Sequence, residues 1–189
     1  MRQITLISTG GTIEKTYDEH AGTLTNRSSV VQEMLRLLRL EDTQINTLQL
    51  MQKDSLDLTD TDRSRILDAV RLIIGPPTPQ DQAPVYDPSN CQGIVILHGT
   101  DTLCQTGDWL YNALMDTDMP LHIPVILTGA MRPFEMKRSD ALQNLNEAIF
   151  AASLLAPGVY VVAHGKALPF PGPTKDRERG TFVLTNIER

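Results

Sequence analysis

Five short runs of apolar, mostly β-branched residues recur along the chain: Ile4-Thr5-Leu6-Ile7, Thr47-Leu48-Gln49-Leu50, Ile94-Val95-Ile96-Leu97, Val125-Ile126-Leu127 and Val159-Tyr160-Val161-Val162. They read as strands, and four are apolar nearly throughout, as expected when both faces of a sheet are covered. Between them the apolar positions take a helical period. Ser29 is placed to cap a helix carrying Val30, Val31, Met34, Leu35 and Leu38, and Thr59 or Thr61 to cap a second with Ile66, Leu67, Val70, Ile73 and Ile74. Gly75-Pro76-Pro77 should stop the second. A third pattern starts near Thr102 with Leu103, Leu110 and Leu114 in phase, and a fourth at Ser139-Asp140 with Leu142, Leu145, Ile149 and Phe150. Strands alternating with helices predict an α/β fold of three layers, with helices on both faces of a mostly parallel sheet, Rossmann-like or flavodoxin-like. Residues 75–90 hold five prolines and no period, so they read as a surface loop within one domain that takes in the whole chain.

Composition narrows the setting. At 189 residues the chain suits one substantial core, and 41% hydrophobic with 21% charged residues is ordinary globular usage. A formal charge of −6, with no cluster of Lys and Arg, argues against nucleic acid as partner. Met1-Arg2-Gln3 leads straight into the first strand, without the apolar core of a secretory leader, and no run is long enough to span a membrane. Cys91 and Cys104 then read as free thiols in a reducing compartment, and the expected location is cytoplasmic. His20, His122 and His164 are scattered without zinc-like spacing, and neither the Walker pattern nor the dinucleotide glycine spacing occurs. Neither a metal nor a cofactor is expected.

Unusual polar clusters follow the strands. Thr9-Gly10-Gly11-Thr12 follows the first, Asp54-Ser55 comes shortly after the second, His98-Gly99-Thr100-Asp101-Thr102 follows the third and Thr128-Gly129-Ala130 the fourth. In an open parallel sheet the carboxyl ends of the strands border the ligand crevice, so these segments should meet there. Paired glycines before Thr12 allow a sharp turn and leave a hydroxyl at its tip, which suits a nucleophile as well as an ordinary turn. Asp101 could act in a site or merely cap the following helix. His98, against the strand end, reads as structural.

These residues carry a resemblance. Thr9-Gly10-Gly11-Thr12-Ile13 and His98-Gly99-Thr100-Asp101-Thr102 look like the two signatures of bacterial-type L-asparaginases, and Thr128-Gly129-Ala130-Met131-Arg132-Pro133 also resembles a segment of that family. The likeness runs from Ile4 to about Lys175. It implies hydrolysis of L-asparagine, with glutamine as an alternative, through Thr12 as nucleophile. Thr100, Asp101 and Lys175 would form the second catalytic group, Lys175 being mapped by its offset from the fifth strand. Gly11, Asp54, Ser55, Gly99, Thr100, Asp101 and Ala130 would bind substrate, with Ser55 on the α-carboxylate, Asp101 on the α-ammonium and backbone N–H groups near Thr100 and Ala130 on the oxyanion. Tyr17 would orient Thr12 from a lid that flexes near Gly22. A carboxamide is a poor electrophile, so its hydrolysis needs an activated hydroxyl, an oxyanion site and a proton for the departing ammonia.

Typical relatives continue into a smaller C-terminal domain, which this chain is expected to lack. A homodimer or higher homo-oligomer is also expected. The competing readings are a glutaminase or ammonia-releasing amidotransferase subunit of the same fold, and an amino-acid-binding module without catalysis. A second hydroxyl and a lysine, which a mere binder does not need, speak against the last.

Overall fold

The computed structural model describes residues 1–75, 91–115 and 121–184; past Gly75, the proline-rich loop read over residues 75–90 lies outside them. The strands are β1 (Arg2–Gly10), β2 (Thr16–Asp18), β3 (Thr23–Thr25), β4 (Thr43–Lys53), β5 (Cys91–Leu97), β6 (Pro124–Thr128), β7 (Gly158–Ala163), β8 (Lys166–Pro169), β9 (Pro173–Asp176) and β10 (Thr181–Leu184). The helices are α1 (Val31–Leu37), α2 (Asp60–Ile74), α3 (Leu103–Met115) and α4 (Ala141–Ala152).

The central sheet runs β4-β1-β5-β6-β7-β8. Its first five strands are parallel and β8 returns antiparallel beside β7. Taken in chain order the parallel strands stand 2-1-3-4-5, the flavodoxin-like arrangement, whose order reverses between β1 and β5. The alternation along each strand sorts its side chains cleanly. Ile7, Ile94, Ile96, Val125, Leu127, Val159 and Val161 face one way, against Ile66 and Val70 of α2 and Leu103 and Leu110 of α3. Ile4, Leu6, Val95, Leu97, Ile126 and Val162 face the other, against Met34 of α1 and Leu145 and Ile149 of α4. This is the three-layer fold that the pattern predicts. Strand β4 is the exception to all-apolar strands because it pairs only with β1 at the sheet edge, and most of its positions are at least partly exposed.

Thr59, not Thr61, caps α2. Its hydroxyl accepts the Asp62 N–H while the Asp62 carboxylate accepts the Thr59 N–H, a reciprocal capping box. Gly75 ends the helix with a positive φ of 68°. Two expectations change, and one helix start carries no side-chain cap. Val30 occupies the cap position of α1, and Ser29 instead accepts the Val31 N–H and donates to Glu14. Asp140 stands at the cap position of α4, but its carboxylate makes no capping bond to that helix. Phe150 is 60% exposed, because the buried face of α4 runs through Ala141, Leu145, Ala148, Ile149 and Ala152. The cysteines are free thiols as expected. Among the described residues no helix is long and apolar enough to cross a membrane, and no group of three or more potential ligands could hold a metal ion.

Asp62 joins fold stability to pH. The Lys53 ammonium, at 2.7 Å, and then the Thr59 N–H hold its buried carboxyl at about 2, below the ordinary 3.8. A depressed folded pKa stabilises fully above the unfolded value and is lost as pH falls through the folded one. The window is therefore pH 4 to 2, and the loss there is about 2 kcal/mol. Asp62→Asn should be less stable by a comparable amount at pH 7, with a shallower decline below pH 4, as measured by thermal melting across pH.

Candidate active site

The polar clusters meet where the strand order reverses. Gly11, after β1, has φ 80°, and a Cβ placed there would stand 2.4 Å from the Gly99 backbone at the end of β5. A Cβ on Gly99 would stand 2.5 Å from Ser55 Oγ. A Cβ on Gly129, after β6, would stand 2.2 Å from the His98 carbonyl oxygen. No side chain fits at these three points: the loops after β1, β5 and β6 pack backbone to backbone, and the Ser55 side chain packs on Gly99. Thr12 leaves this contact as the first residue of a short 3-10 helix, Thr12–Glu14, and is half-buried. Ser55 begins another, Ser55–Asp57, and its carbonyl accepts the Thr102 hydroxyl at 2.8 Å.

Lys175 arrives from β9. The β9–β10 hairpin lies beside α3, where Gly107 leaves room for the Phe170 ring: a Cβ there would stand 2.0 Å from it. Lys175 Nζ donates to Thr100 Oγ1 at 2.7 Å and to Asp101 Oδ1 at 3.0 Å. Arg177 Nη2 reaches the same Asp101 oxygen, also at 3.0 Å. Thr100 is only 3% exposed, so its hydroxyl and the lysine meet away from bulk water. Asp101 is thus an ion-pair partner rather than a helix cap.

The remaining candidates fall around this centre. Ala130 is fully buried, and the chain after it is clamped by Asp140, whose carboxylate accepts the N–H groups of Met131 at 3.0 Å and Arg132 at 3.1 Å. Asn144 donates to Asp140 and to the Gly129 carbonyl, and its side-chain oxygen accepts the His164 N–H. The His164 ring bridges Asp140, at 2.8 Å, to the Thr181 hydroxyl of β10. Burial raises the Asp140 pKa, but the Met131 N–H, His164 and the Arg132 N–H outweigh it and leave the carboxyl below its usual value. His98 is wholly buried, which pushes its pKa down to about 4; its ring contacts the Gly99 carbonyl and the Thr106 hydroxyl, a structural role as expected.

Asp54 accepts the Leu56 N–H and pairs with Lys15 at 2.5 Å, which lowers its pKa. Both line a shallow depression of about 460 Å³ with Thr25, Asn26 and Lys53. Tyr17 lies on the β2–β3 hairpin, its ring 56% exposed and its N–H donating to Glu135 at 2.5 Å. Among the described residues no hydrogen bond joins its hydroxyl to Thr12. The hairpin turns at Gly22, φ 65°, beside that hydroxyl.

Sequence reasoning missed Glu14. Its carboxylate is buried and accepts the hydroxyls of Ser8 and Ser29 and the Gly10 N–H, so it braces the turn that carries Thr12; burial raises its pKa. Asp140, Asn144 and His164 were also missed as a network. Their one visible signal was an Asp at a helix start, which a cap explains equally well.

A flavodoxin-like sheet with a hydroxyl-lysine pair near its switch point defines an α/β protein whose polar clusters gather at the strand ends. Residues 3–175 match the family described as Asparaginase, N-terminal, and the chain belongs to that family. It is 45% identical over 76 residues, 40% of its length and 22% of the relative's, to an L-asparaginase of Thermococcus kodakarensis. It is 40% identical over 78 residues, 41% of its length and 17% of the relative's, to a subunit of the glutamyl-tRNA(Gln) amidotransferase of Methanococcus vannielii. The solved structure of the thermostable L-asparaginase from Thermococcus kodakarensis superposes with a TM-score of 0.78 at 28% identity, covering 97% of this chain. The chain spans about half the length of that structure, 51%.

Because Asp140 fixes the chain after Ala130 and, through His164, touches β10, its loss should act on the site and on stability together. Asp140→Ala should cost about 1–3 kcal/mol, seen as a lower denaturation midpoint, since it strands the buried Asn144 amide and the part-buried Met131 N–H and His164 ring. Asp140→Asn should keep most stability but protect the Met131 and Arg132 amides less in hydrogen exchange.

Proposed function

We propose that the chain hydrolyses the side-chain amide of L-asparagine to L-aspartate and ammonia through Thr12 and an acyl-enzyme. The observation that carries this reading is the contact of Lys175 with both Thr100 and Asp101, packed against the glycine turn that presents Thr12. Thr12 Oγ1 attacks the amide carbon, and Thr100 with Lys175 moves the proton to the departing ammonia. Backbone N–H groups at Thr100 and Ala130 hold the oxyanion, and water then cleaves the ester. Ser55, with backbone groups, holds the α-carboxylate, and Tyr17 orients Thr12 when the β2–β3 hairpin closes. Glutamine differs by one methylene, worth only ~1–3 kcal/mol of discrimination. A second reading, an ammonia-releasing component of an amidotransferase, is favoured by the likeness to the Methanococcus vannielii protein.

Ammonia release from L-asparagine by the purified protein tests the reading. Thr12→Ala should abolish it with the fold unchanged by circular dichroism, and more than about a tenth of the wild-type rate remaining would exclude Thr12 as nucleophile. Lys175→Met should lower kcat by orders of magnitude; full activity would mean that another lysine serves. Asp101→Ala should mainly raise KM.

We also propose a homo-oligomer, most simply a two-fold dimer in the cytoplasm. Phe150 and Leu154, 60% and 64% exposed at the end of α4, support an apolar contact there. Light scattering should give twice the chain mass or a higher multiple at micromolar concentration, with a monomer as the contrary result.

A further inference from the structure

Glu14 is a buried acid that the proposed chemistry does not use. It follows Thr12 by two residues, is 1% exposed, and among the described residues no cation is paired with it. The charged groups on the segments around it are engaged elsewhere or face solvent. Lys15 is on Asp54, Lys53 on Asp62 and Arg27 on Asp18. The loop after β6 touches the same turn through the Phe134 N–H on the Ile13 carbonyl, but its Glu135 accepts the Tyr17 N–H and its Arg132 is exposed, as is Glu33 of α1. What meets the Glu14 carboxylate is a set of neutral donors. Oε2 accepts the Ser8 hydroxyl and, at 3.2 Å, the Gly10 N–H, while Oε1 accepts the Ser29 hydroxyl at 2.6 Å. Burial outweighs these bonds and raises the pKa above the ordinary 4.5.

These bonds close two loops at once. Gly10 and Glu14 flank Thr12 at two residues on either side, so the bond between them fixes the turn that presents its hydroxyl. Ser29 lies past the hairpin: the chain leaves Glu14, runs through β2 and β3, and returns to Ser29, which also accepts the Val31 N–H at the start of α1. One carboxylate thus joins the turn of Thr12 to the base of the hairpin that carries Tyr17. We propose that Glu14 is a positioning residue, an ionised carboxylate that holds Thr12 and the base of the β2–β3 hairpin in one geometry. This rests on the reading of Thr12 as nucleophile. An ionised carboxylate only accepts hydrogen bonds, which suits three converging donors. A proton turns one of its oxygens into a donor, so a serine hydroxyl must rotate away and the clamp loosens.

Two variants test it. Glu14→Gln keeps the shape but carries a donor permanently, and Ser29→Ala removes one arm of the clamp with Glu14 in place. Glu14→Gln should lower kcat for ammonia release from L-asparagine by about tenfold, with KM changed less than about twofold, because substrate binding is left alone. The wild-type kcat should decline on the acid side above the usual Glu range, as Glu14 takes up its proton. That limb should vanish in Glu14→Gln, whose amide does not titrate. In Ser29→Ala it should move to higher pH, since the lost hydroxyl was holding the pKa down. A purely structural Glu14 would lower the melting temperature and leave kcat and its acid limb unchanged, and that result overturns the proposal. Amide hydrogen exchange reads the clamp without chemistry: the β2–β3 hairpin should exchange about tenfold faster in both variants, with β5 and β6 unchanged. If the wild-type protein releases no ammonia while the exchange result holds, the hydrolysis reading fails and the positioning role stands. Unchanged exchange in the hairpin overturns that role.

Discussion

Backbone contact without side chains, at the carboxyl ends of β1, β5 and β6, is the constraint on which the site depends. Gly11 against Gly99 and Gly129 against the His98 carbonyl leave no space even for a methyl group, and Gly99 makes room for the Ser55 side chain. Loops that touch in this way fix the spacing of the groups they carry to within fractions of an ångström, which is what stabilising a transient oxyanion requires. Glycine-rich turns are entropically costly to order. The surrounding buried polar groups offset that cost: Glu14 binds the Gly10 N–H, Thr9 donates to the Leu97 carbonyl, and the Thr128 hydroxyl donates to the Val162 carbonyl.

A second layer ties distant segments into the same frame. Asp140 holds the chain after Ala130, His164 links Asp140 to Thr181, and Lys166 donates to the Thr181 hydroxyl and the Phe182 carbonyl. Thr181 pairs with Asp176 in the hairpin that delivers Lys175. The loop proposed to hold the oxyanion and the strand that carries the lysine therefore share one hydrogen-bonded support. A perturbation at Asp140 reaches both by a chain of direct contacts, although Asp140 itself belongs to neither catalytic group.

Much of this was legible in the sequence because it rests on local rules. Strands buried on both faces announce themselves as unbroken apolar runs, while the cap of α2 stayed open between Thr59 and Thr61 until the reciprocal bonds of Thr59 with Asp62 decided it. The glycine-threonine turns were visible by the same local rules, whereas Lys175 came only from the family resemblance, mapped by its offset from the fifth strand. What stayed hidden depends on partners far along the chain. Strands β9 and β10 are four residues each, and Pro173-Thr174-Lys175-Asp176 has no strand-like alternation. The pair of Asp140 with His164 spans 24 positions, and Glu14 is a buried acid whose reason for burial lies at Ser8 and Ser29. Tyr17 could be placed on a lid loop after Thr12, but the β2–β3 hairpin that carries it, with its N–H on Glu135 and its side chain exposed, was not visible in the sequence.

The charges around the site oppose those of the chain as a whole. The protein carries −6 formally, which by itself would repel a carboxylate ligand. At the rim, however, Asp54 is neutralised by Lys15, Asp62 by Lys53, and Asp101 is bound by both Lys175 and Arg177. The uncompensated charge among these groups is positive and sits beside Thr100, where the proposed chemistry takes place. At physiological ionic strength the Debye length is about 8 Å, so the distant acidic surface is screened while a charge in contact with the ligand is not. Under the proposed function a ligand carboxylate at the sheet edge therefore meets Lys175 and its neighbours before it meets the net charge, and raising the salt weakens the general repulsion before it weakens the local attraction.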